Sequence, residues 1–316
     1  MMRGRQEADL VPPENSKQKK RGRITMSQKQ FYLVTDSTSD LPKSYFEENE
    51  IGIIHLSCLL NGEVYGKDKE LDIKEFYQAL RDGSLPTTSQ INPEDAYEYF
   101  KQLVATQTEI LMLAFSSGLS GSYQSVCIAA QQIMEEQENV HIEVVDTLCA
   151  SLGEGLLVDK AVELRNQGLS LTEAANYIRE NLLHLCHVFT VDDLFHLYRG
   201  GRVSKASAML GTMINIKPLL HVDNEGHLIN IGKVRGRKKS LLSLVDMMEE
   251  RIGSYKDKQG SIFISHSDCR EDAEFVAQEI KKRFGYDKFL IHFIGPVIGS
   301  HTGCGTVALF FWGEKR

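Results

Sequence analysis

Apolar positions in the first half of the chain come as short runs, each followed by a hydroxyl- and glycine-rich turn and then a stretch of helical period. Phe31-Tyr32-Leu33-Val34-Thr35 reads as a strand, Asp36-Ser37-Thr38-Ser39-Asp40 as a turn, and Leu41-Pro42 as the opening of a helix. Ile51 to Leu60 is β-rich. Asn61-Gly62 then predicts a hairpin leading into a small insertion, because both turn positions need the positive φ that Asn and Gly tolerate. Asp72 caps a helix through Leu80, Pro86 to Asn92 reads as a polar loop, and a helix from Pro93 runs to about Ala105. Glu109 to Phe115 is a buried-strand run, and Ser116-Ser117-Gly118-Leu119-Ser120-Gly121-Ser122 turns from it into a helix to Met134. His141 to Asp146 supplies another strand, and Gly153 to Asn166 and Ser170 to Asn181 read as helices. This succession of strand, turn and helix is the pattern of a parallel α/β layer.

Beyond residue 185 the pattern changes. Strands are expected at Val188 to Val191, Lys217 to Val222, His227 to Val234, Ser261 to His266 and Phe289 to Pro296, with Asn224-Glu225-Gly226 as a hairpin turn. Helices interrupt them around Leu241–Ile252 and Glu271–Phe284, which predicts an α+β unit with a partly antiparallel sheet. The 316 residues exceed the ~250–300 at which single cores stop growing. The expectation is therefore an α/β protein of two domains: an N-terminal parallel-sheet α/β domain over 30–185 with an insertion near 61–71, and a C-terminal α+β domain over 186–316. Residues 1–29 are expected to form a basic, disordered tail.

Composition narrows the function classes. The chain is 42% hydrophobic and 25% charged, enough apolar material for a sizeable core. Its six cysteines show neither a CxxC pair nor metal-ligand spacing, so they read as buried thiols of a cytoplasmic protein, with no metal and no cofactor implied. No apolar run approaches the ~20 residues of a membrane span, and the basic N-terminus lacks the apolar region of a secretory signal. Residues 1–25 carry seven Lys/Arg against three Asp/Glu, leaving a net −11 on the remainder. Nucleic-acid binding is not expected of so acidic a body, since phosphate neutralisation requires clustered Lys/Arg. At most a transient contact with a membrane surface is expected.

Three polar segments and one histidine carry candidate chemistry. Thr87-Thr88-Ser89-Gln90 presents hydroxyls ahead of a helix, either as an anion site or as simple capping. Ser116 to Ser122 places hydroxyls and glycines at the end of a buried strand, where ligands of open α/β sheets bind. It is neither a Walker loop nor a GxGxxG fingerprint, and it lacks the first glycine of a GxSxG elbow. Arg199-Gly200-Gly201-Arg202 offers guanidinium groups to a carboxylate or phosphate, or is a solvated turn. His301 lies in the glycine-rich Gly299 to Gly305 and is either an anion contact or a turn histidine.

In order along the chain, Thr35 to Asp40, Thr88-Ser89-Gln90, Ser116 to Ser122, Arg199 to Arg202, Asn215-Ile216-Lys217-Pro218 and His301-Thr302-Gly303 resemble the DegV family of bacterial fatty-acid-binding proteins. The resemblance covers roughly residues 30–316. It implies a ligand tunnel between the domains, a long-chain fatty acid whose carboxylate is held by Thr88 and Ser120, and Arg199, Arg202 and His301 facing the head group, a phosphate or a kinase. It further implies a non-catalytic binding subunit that presents the carboxylate to a separate ATP-dependent fatty-acid kinase, which makes an acyl phosphate for phospholipid synthesis. Ile91-Asn92 and Cys304 depart from the family pattern without removing a ligand group. A self-sufficient acyl-transfer or hydrolytic enzyme using Ser120 and His301, or a phosphorylated-metabolite sensor, stands as the alternative.

Overall fold

A computed structural model describes residues 30–192, 194–204 and 215–316; the expected tail and Lys205 lie outside them. Strands β1 (Tyr32–Asp36), β2 (Ile51–Ile54), β6 (Glu109–Ala114) and β7 (His141–Asp146) form a parallel sheet in the order β2-β1-β6-β7. The β-rich stretch Ile51 to Leu60 divides after β2. Strand β3 (Ser57–Leu60) turns through Asn61-Gly62, both at positive φ, to pair with β4 (Glu63–Tyr65). On its other edge β3 pairs antiparallel with β5 (Thr87–Ser89), inside the stretch expected to be a loop. β5 has no apolar alternation of its own; the pairing with β3 makes it a strand.

Helices cover both faces of the parallel sheet. α3 (Pro93–Leu103) and α4 (Ser122–Glu136) close one face with a core that includes Phe100, Ile110, Met112 and Ile133. α5 (Leu152–Asn166) and α6 (Leu171–Asn181) close the other. α5 is buried around most of its circumference, because its far side meets a second sheet. That sheet is mixed, ordered β10-β9-β8-β13-β11-β12, from β8 (Leu185–Thr190), β9 (Ile216–Val222), β10 (Leu228–Arg235), β11 (Ile262–His266), β12 (Phe289–Phe293) and β13 (Val307–Trp312). All pairings are antiparallel except β11 with β12, as the α+β expectation required. Among the described residues the remaining α-helices are α1 (Lys43–Asn49), α2 (Ile73–Arg81), α7 (Phe195–Arg199), α8 (Arg237–Ile252), α9 (Arg270–Phe284) and α10 (Pro296–Thr302). α10 and β13 stand outside the expected elements. No described helix is long and apolar enough to cross a membrane.

Between the sheets lies a buried acid cluster. The turn after β1 brings Asp36 beside Glu154 of α5, both buried. Thr35 Oγ1 is 3.0 Å from Leu113 O and 2.7 Å from Glu154 Oε1, while Thr38 Oγ1 is 2.5 Å from Asp36 Oδ1 and 2.9 Å from Glu154 Oε2. Two hydroxyl hydrogens cannot serve four such contacts. A protonated Glu154 supplies one of the two hydrogens lacking, in keeping with burial and the neighbouring Asp36, which push its carboxyl well above the usual range.

Glu154→Gln is expected to lie within about 1 kcal/mol of wild type near pH 5, where a neutral amide replaces a neutral acid, and to gain on wild type as pH rises and the unfolded wild-type carboxyl ionises. Glu154→Ala is expected to cost about 2–4 kcal/mol through a cavity and unpaired hydroxyls. The native-state pKa being raised, the Glu154 contribution is present below its unfolded value and lost as pH rises through the native one. Urea denaturation of the two variants from pH 5 to 9 checks both points.

Candidate functional site

The order β2-β1-β6-β7 sends the chain to opposite sides of β1, so the crevice beyond the C-terminal ends of β1 and β6 is the topological switch point of the sheet. A cavity lies there, between the ends of the parallel sheet and a face of the mixed sheet. Its walls are mainly apolar, with Leu56, Phe115, Phe189, Val222, Val297 and Phe310 prominent. Thr88, Ser120, Arg202 and His301 also line it. Four of the five residues singled out in the sequence are thus brought to one cavity from four separate segments.

Thr88 arrives by strand pairing rather than at a helix start. Its Cα partner is Cys58 on β3, and the next helix begins only at Pro93 with Asn92 as its cap. The pleat alternates Thr88 inward between exposed Thr87 and Ser89. Ser120 does sit at a helix start: its Oγ accepts from Ser122 N at 3.2 Å and lies 2.9 Å from Ser122 Oγ. Ser122 Oγ in turn accepts from Ile91 N, which ties the two hydroxyl-rich segments together.

His301 lies in the last turn of α10, not in a loop. Pro296 at the helix start, buried Val297, Ile298 and Thr302, and Gly303 at φ 72 define that helix despite its Gly-Ser content. His301 Nε2 is 2.8 Å from Thr88 Oγ1, and Nδ1 has no partner among the described residues. Gly200 permits this packing, since a Cβ there would sit 2.2 Å from Nδ1. Burial, then Arg202, Arg199 and His196, push the imidazole down to about 4, so the ring is neutral near pH 7. A buried N–H without a partner is the rarer and costlier orphan, which places the single ring hydrogen on Nε2. His301 then donates to Thr88, and the Thr88 hydroxyl hydrogen is left for a ligand oxygen.

The arginines turn inward from the Gly200-Gly201 turn. Arg202 donates to Leu119 O through Nε at 3.2 Å and Nη2 at 3.0 Å, and to Gly200 O through Nη1. It therefore braces the loop that carries Ser120 while its side chain lines the cavity. Arg199, at the end of α7, donates from Nη2 to Pro86 O at 3.0 Å and Ser300 O at 3.1 Å. It straps the approach to β5 onto α10 and is not among the lining residues. Sequence reasoning did not find the role of Ser122 or the carbonyl contacts of the arginines; a carbonyl acceptor leaves no trace in residue identity.

His301→Gln is expected to flatten the rise of stability between pH 4 and 6.5. A histidine held neutral when folded binds a proton only in the unfolded chain over that window, so stability climbs with pH there, by up to about 3 kcal/mol for this group. Denaturation midpoints of wild type and variant at pH 4.5 and 7 read the difference.

Among known proteins, the model of the DegV family of uncharacterised proteins matches residues 30–314. A DegV domain-containing protein of Clostridium perfringens is 44% identical over 290 residues, covering 91% of this chain and 99% of that protein. Protein DegV of Bacillus subtilis is 30% identical over 279 residues, covering 88% and 97%. A Thermus thermophilus DegV family structure, described for its fatty acid binding, superposes with a TM-score of 0.80 at 32% identity, covering 90% of this chain and 99% of that one. The structure of Bacillus subtilis DegV, described as a fatty acid binding protein, gives 0.78 at 29%, covering 91% and 100%.

Proposed function

The chain belongs to the DegV family, and from that membership we propose that it binds a long-chain fatty acid and presents the carboxylate to a partner fatty-acid kinase. The observation that carries the reading is the cavity itself: apolar along its walls, with Thr88 and Ser120 hydroxyls and a neutral His301 at one part of it. An acyl chain of about 16 carbons gains up to ~0.8 kcal/mol per methylene on burial, on the order of 10 kcal/mol before ordering costs. A carboxylate entering the same space needs hydrogen bonds to offset its desolvation. Thr88 and Ser120 are proposed to supply them, with His301 acting through Thr88. Arg202, and less directly Arg199, are proposed to shape the end at which the kinase works. The boundary between the two domains is proposed to fall near residue 185, where the second sheet begins.

Hydrolysis or acyl transfer by Ser120 and His301 finds less support. The partner of His301 Nε2 is Thr88, and that of Ser120 is Ser122, so the hydroxyl–imidazole contact involves a different hydroxyl. The apolar walls likewise suit a hydrocarbon better than a phosphorylated metabolite.

Purified protein is expected to release a fatty acid on denaturation and extraction, read by mass spectrometry; absence of lipid together with no binding after lipid addition would overturn the proposal. In the Thr88→Ala/Ser120→Ala double variant, head-group binding is expected to weaken by roughly 1–3 kcal/mol per charged hydrogen bond lost. Arg202→Ala is expected to keep fatty-acid affinity within about tenfold, ~1.4 kcal/mol, while acyl phosphate formation in a coupled kinase assay falls much further. Equal losses in both measurements would make Arg202 a lipid-holding residue through its brace on Leu119.

A further inference from the structure

The turn after β1 ends on Asp40, a buried residue in left-handed conformation at φ 53. Its carboxyl reaches across the seam between the two sheets. Oδ1 accepts from Gly295 N at 3.0 Å, Oδ2 accepts from Ser151 Oγ at 2.6 Å, and the Asp40 carbonyl is 3.0 Å from His292 Nδ1. Ser151 Oγ is also 3.0 Å from Ser265 Oγ on β11. Gly295 is the residue from which α10 starts, and a Cβ there would meet Asp40 Oδ1 at 2.6 Å. One carboxyl therefore fixes the base of the helix whose last turn carries His301, while its other oxygen holds a serine of the cavity wall.

We propose that Asp40 is a positioning residue of the fatty-acid site, a proton-responsive clasp that seats the His301 helix and couples ligand binding to proton uptake. The inference rests on the fatty-acid reading above. Buried carboxyls that straddle two packed layers are tolerated only when hydrogen bonds and protonation offset desolvation. At Asp40 burial is the largest influence; the bonds from Ser151 and Gly295 oppose it, Asp36 reinforces it, and the group titrates at about 7. Around it stand Asp36 on its own turn, Glu154 on α5, Tyr77 on α2 and His292 on β12. Burial pushes the His292 imidazole down and the Tyr77 phenol well up, and Glu154 is held protonated. His301 titrates near 4, below the window in question.

The sign follows from what fills the cavity. Hydrocarbon beside Ser151 removes water from that side of the clasp and disfavours the charged carboxylate, so the occupied protein holds the Asp40 proton more tightly. By linkage, the neutral clasp holds the ligand more tightly and affinity falls as pH rises through neutrality. A monomeric fatty acid is already ionised throughout this range and contributes no slope of its own. Asp40→Asn mimics the protonated clasp: the amide oxygen accepts from Gly295 N, and the amide nitrogen donates to Ser151 Oγ.

The test is a titration of wild type, D40N and D40A with a saturated C16 fatty acid below its aggregation concentration at pH 6, 7 and 8. Wild-type Kd is expected to weaken by about three- to tenfold across the series, tenfold corresponding to one unit of pKa coupling. D40N is expected to bind tightly with less than about twofold change, and D40A to bind weakly at every pH. A flat wild-type profile, or a D40N profile with the wild-type slope, overturns the clasp. Should no fatty acid bind any of the three proteins, the fatty-acid reading fails, and the clasp is judged on the ligand-free protein. Its native pKa being raised, ionisation of Asp40 disfavours the native state as pH rises to about 7. The thermal midpoint of D40N must then gain on wild type between pH 5 and 7 and level off above; a constant difference overturns the proposal.

Discussion

Three residues of antiparallel pairing, Ser57 to Leu59 against Thr87 to Ser89, set Thr88 in the cavity wall. The period of a strand turns Thr88 inward opposite Cys58 while Thr87 and Ser89 are exposed, so a slip by one residue would take Thr88 away from His301. The pairing is short and lacks an apolar stripe, and so it needs outside support. Arg199 ties Pro86 to Ser300, Ser122 ties Ile91 to the start of α4, and His301 meets Thr88 itself. Each tie comes from a different element. The strand's register is thus held by the same groups that complete the site around it.

Electrostatics at the seam follow from the same economy of space. The cavity needs dry walls, yet the chain must cross between sheets on turns whose polar groups cannot be left unpaired. Two solutions appear side by side. Around His301, neutrality is enforced by burial and by nearby arginines that themselves donate to backbone carbonyls. Around Asp36, Asp40 and Glu154, hydroxyls of Thr35, Thr38 and Ser151 take the place of water, and raised pKa values keep part of the cluster uncharged. Full ionisation of three carboxyls so close together in a low-dielectric interior would cost several kcal/mol per group.

Where a residue imposes its own backbone demand, the sequence was a sufficient guide. Asn61-Gly62 and Asp72 act where expected, and Asp223 to Gly226 closes the β9–β10 hairpin. The apolar run at 109–115 is a strand, short and closed at once by a Ser/Gly turn, and 141–146, with Ile142, Val144 and Val145, is a strand beside it. The segments that mislead are those made by partners distant in the chain. β5 is a strand only because β3 is beside it, and α10 is a helix only because Val297 and Ile298 find cover, despite Gly299 and Ser300. Similarly, Glu154 looks like an ordinary helical carboxylate until the turn after β1 is folded over it. Of the candidate site, the family pattern singled out Thr88, Ser120, Arg202 and His301, which share one cavity, but not their wiring: that His301 addresses Thr88, or that Arg202 braces Leu119, depends on contacts spanning 213 and 83 positions.

On the proposed reading, this wiring separates two tasks that a simple pocket would confound. Hydrocarbon burial scales with area and is indifferent to direction, so the walls can hold an acyl chain tightly without specifying where its carboxylate points. Direction comes from a few hydrogen bonds, each worth only about 0.5–1.5 kcal/mol net for neutral donors and ~1.5–3 to a charged group. Those bonds change affinity little against the hydrocarbon term. They matter because a neutral His301 oriented by packing leaves the Thr88 hydrogen to a ligand oxygen, so that the donor is a neutral hydroxyl for a carboxylate that must later act as a nucleophile. A carboxylate paired directly with a guanidinium would be bound more firmly and react less readily. The inward turn of Arg199 and Arg202 onto carbonyl oxygens keeps their charge close enough to hold the imidazole neutral, yet committed to the backbone.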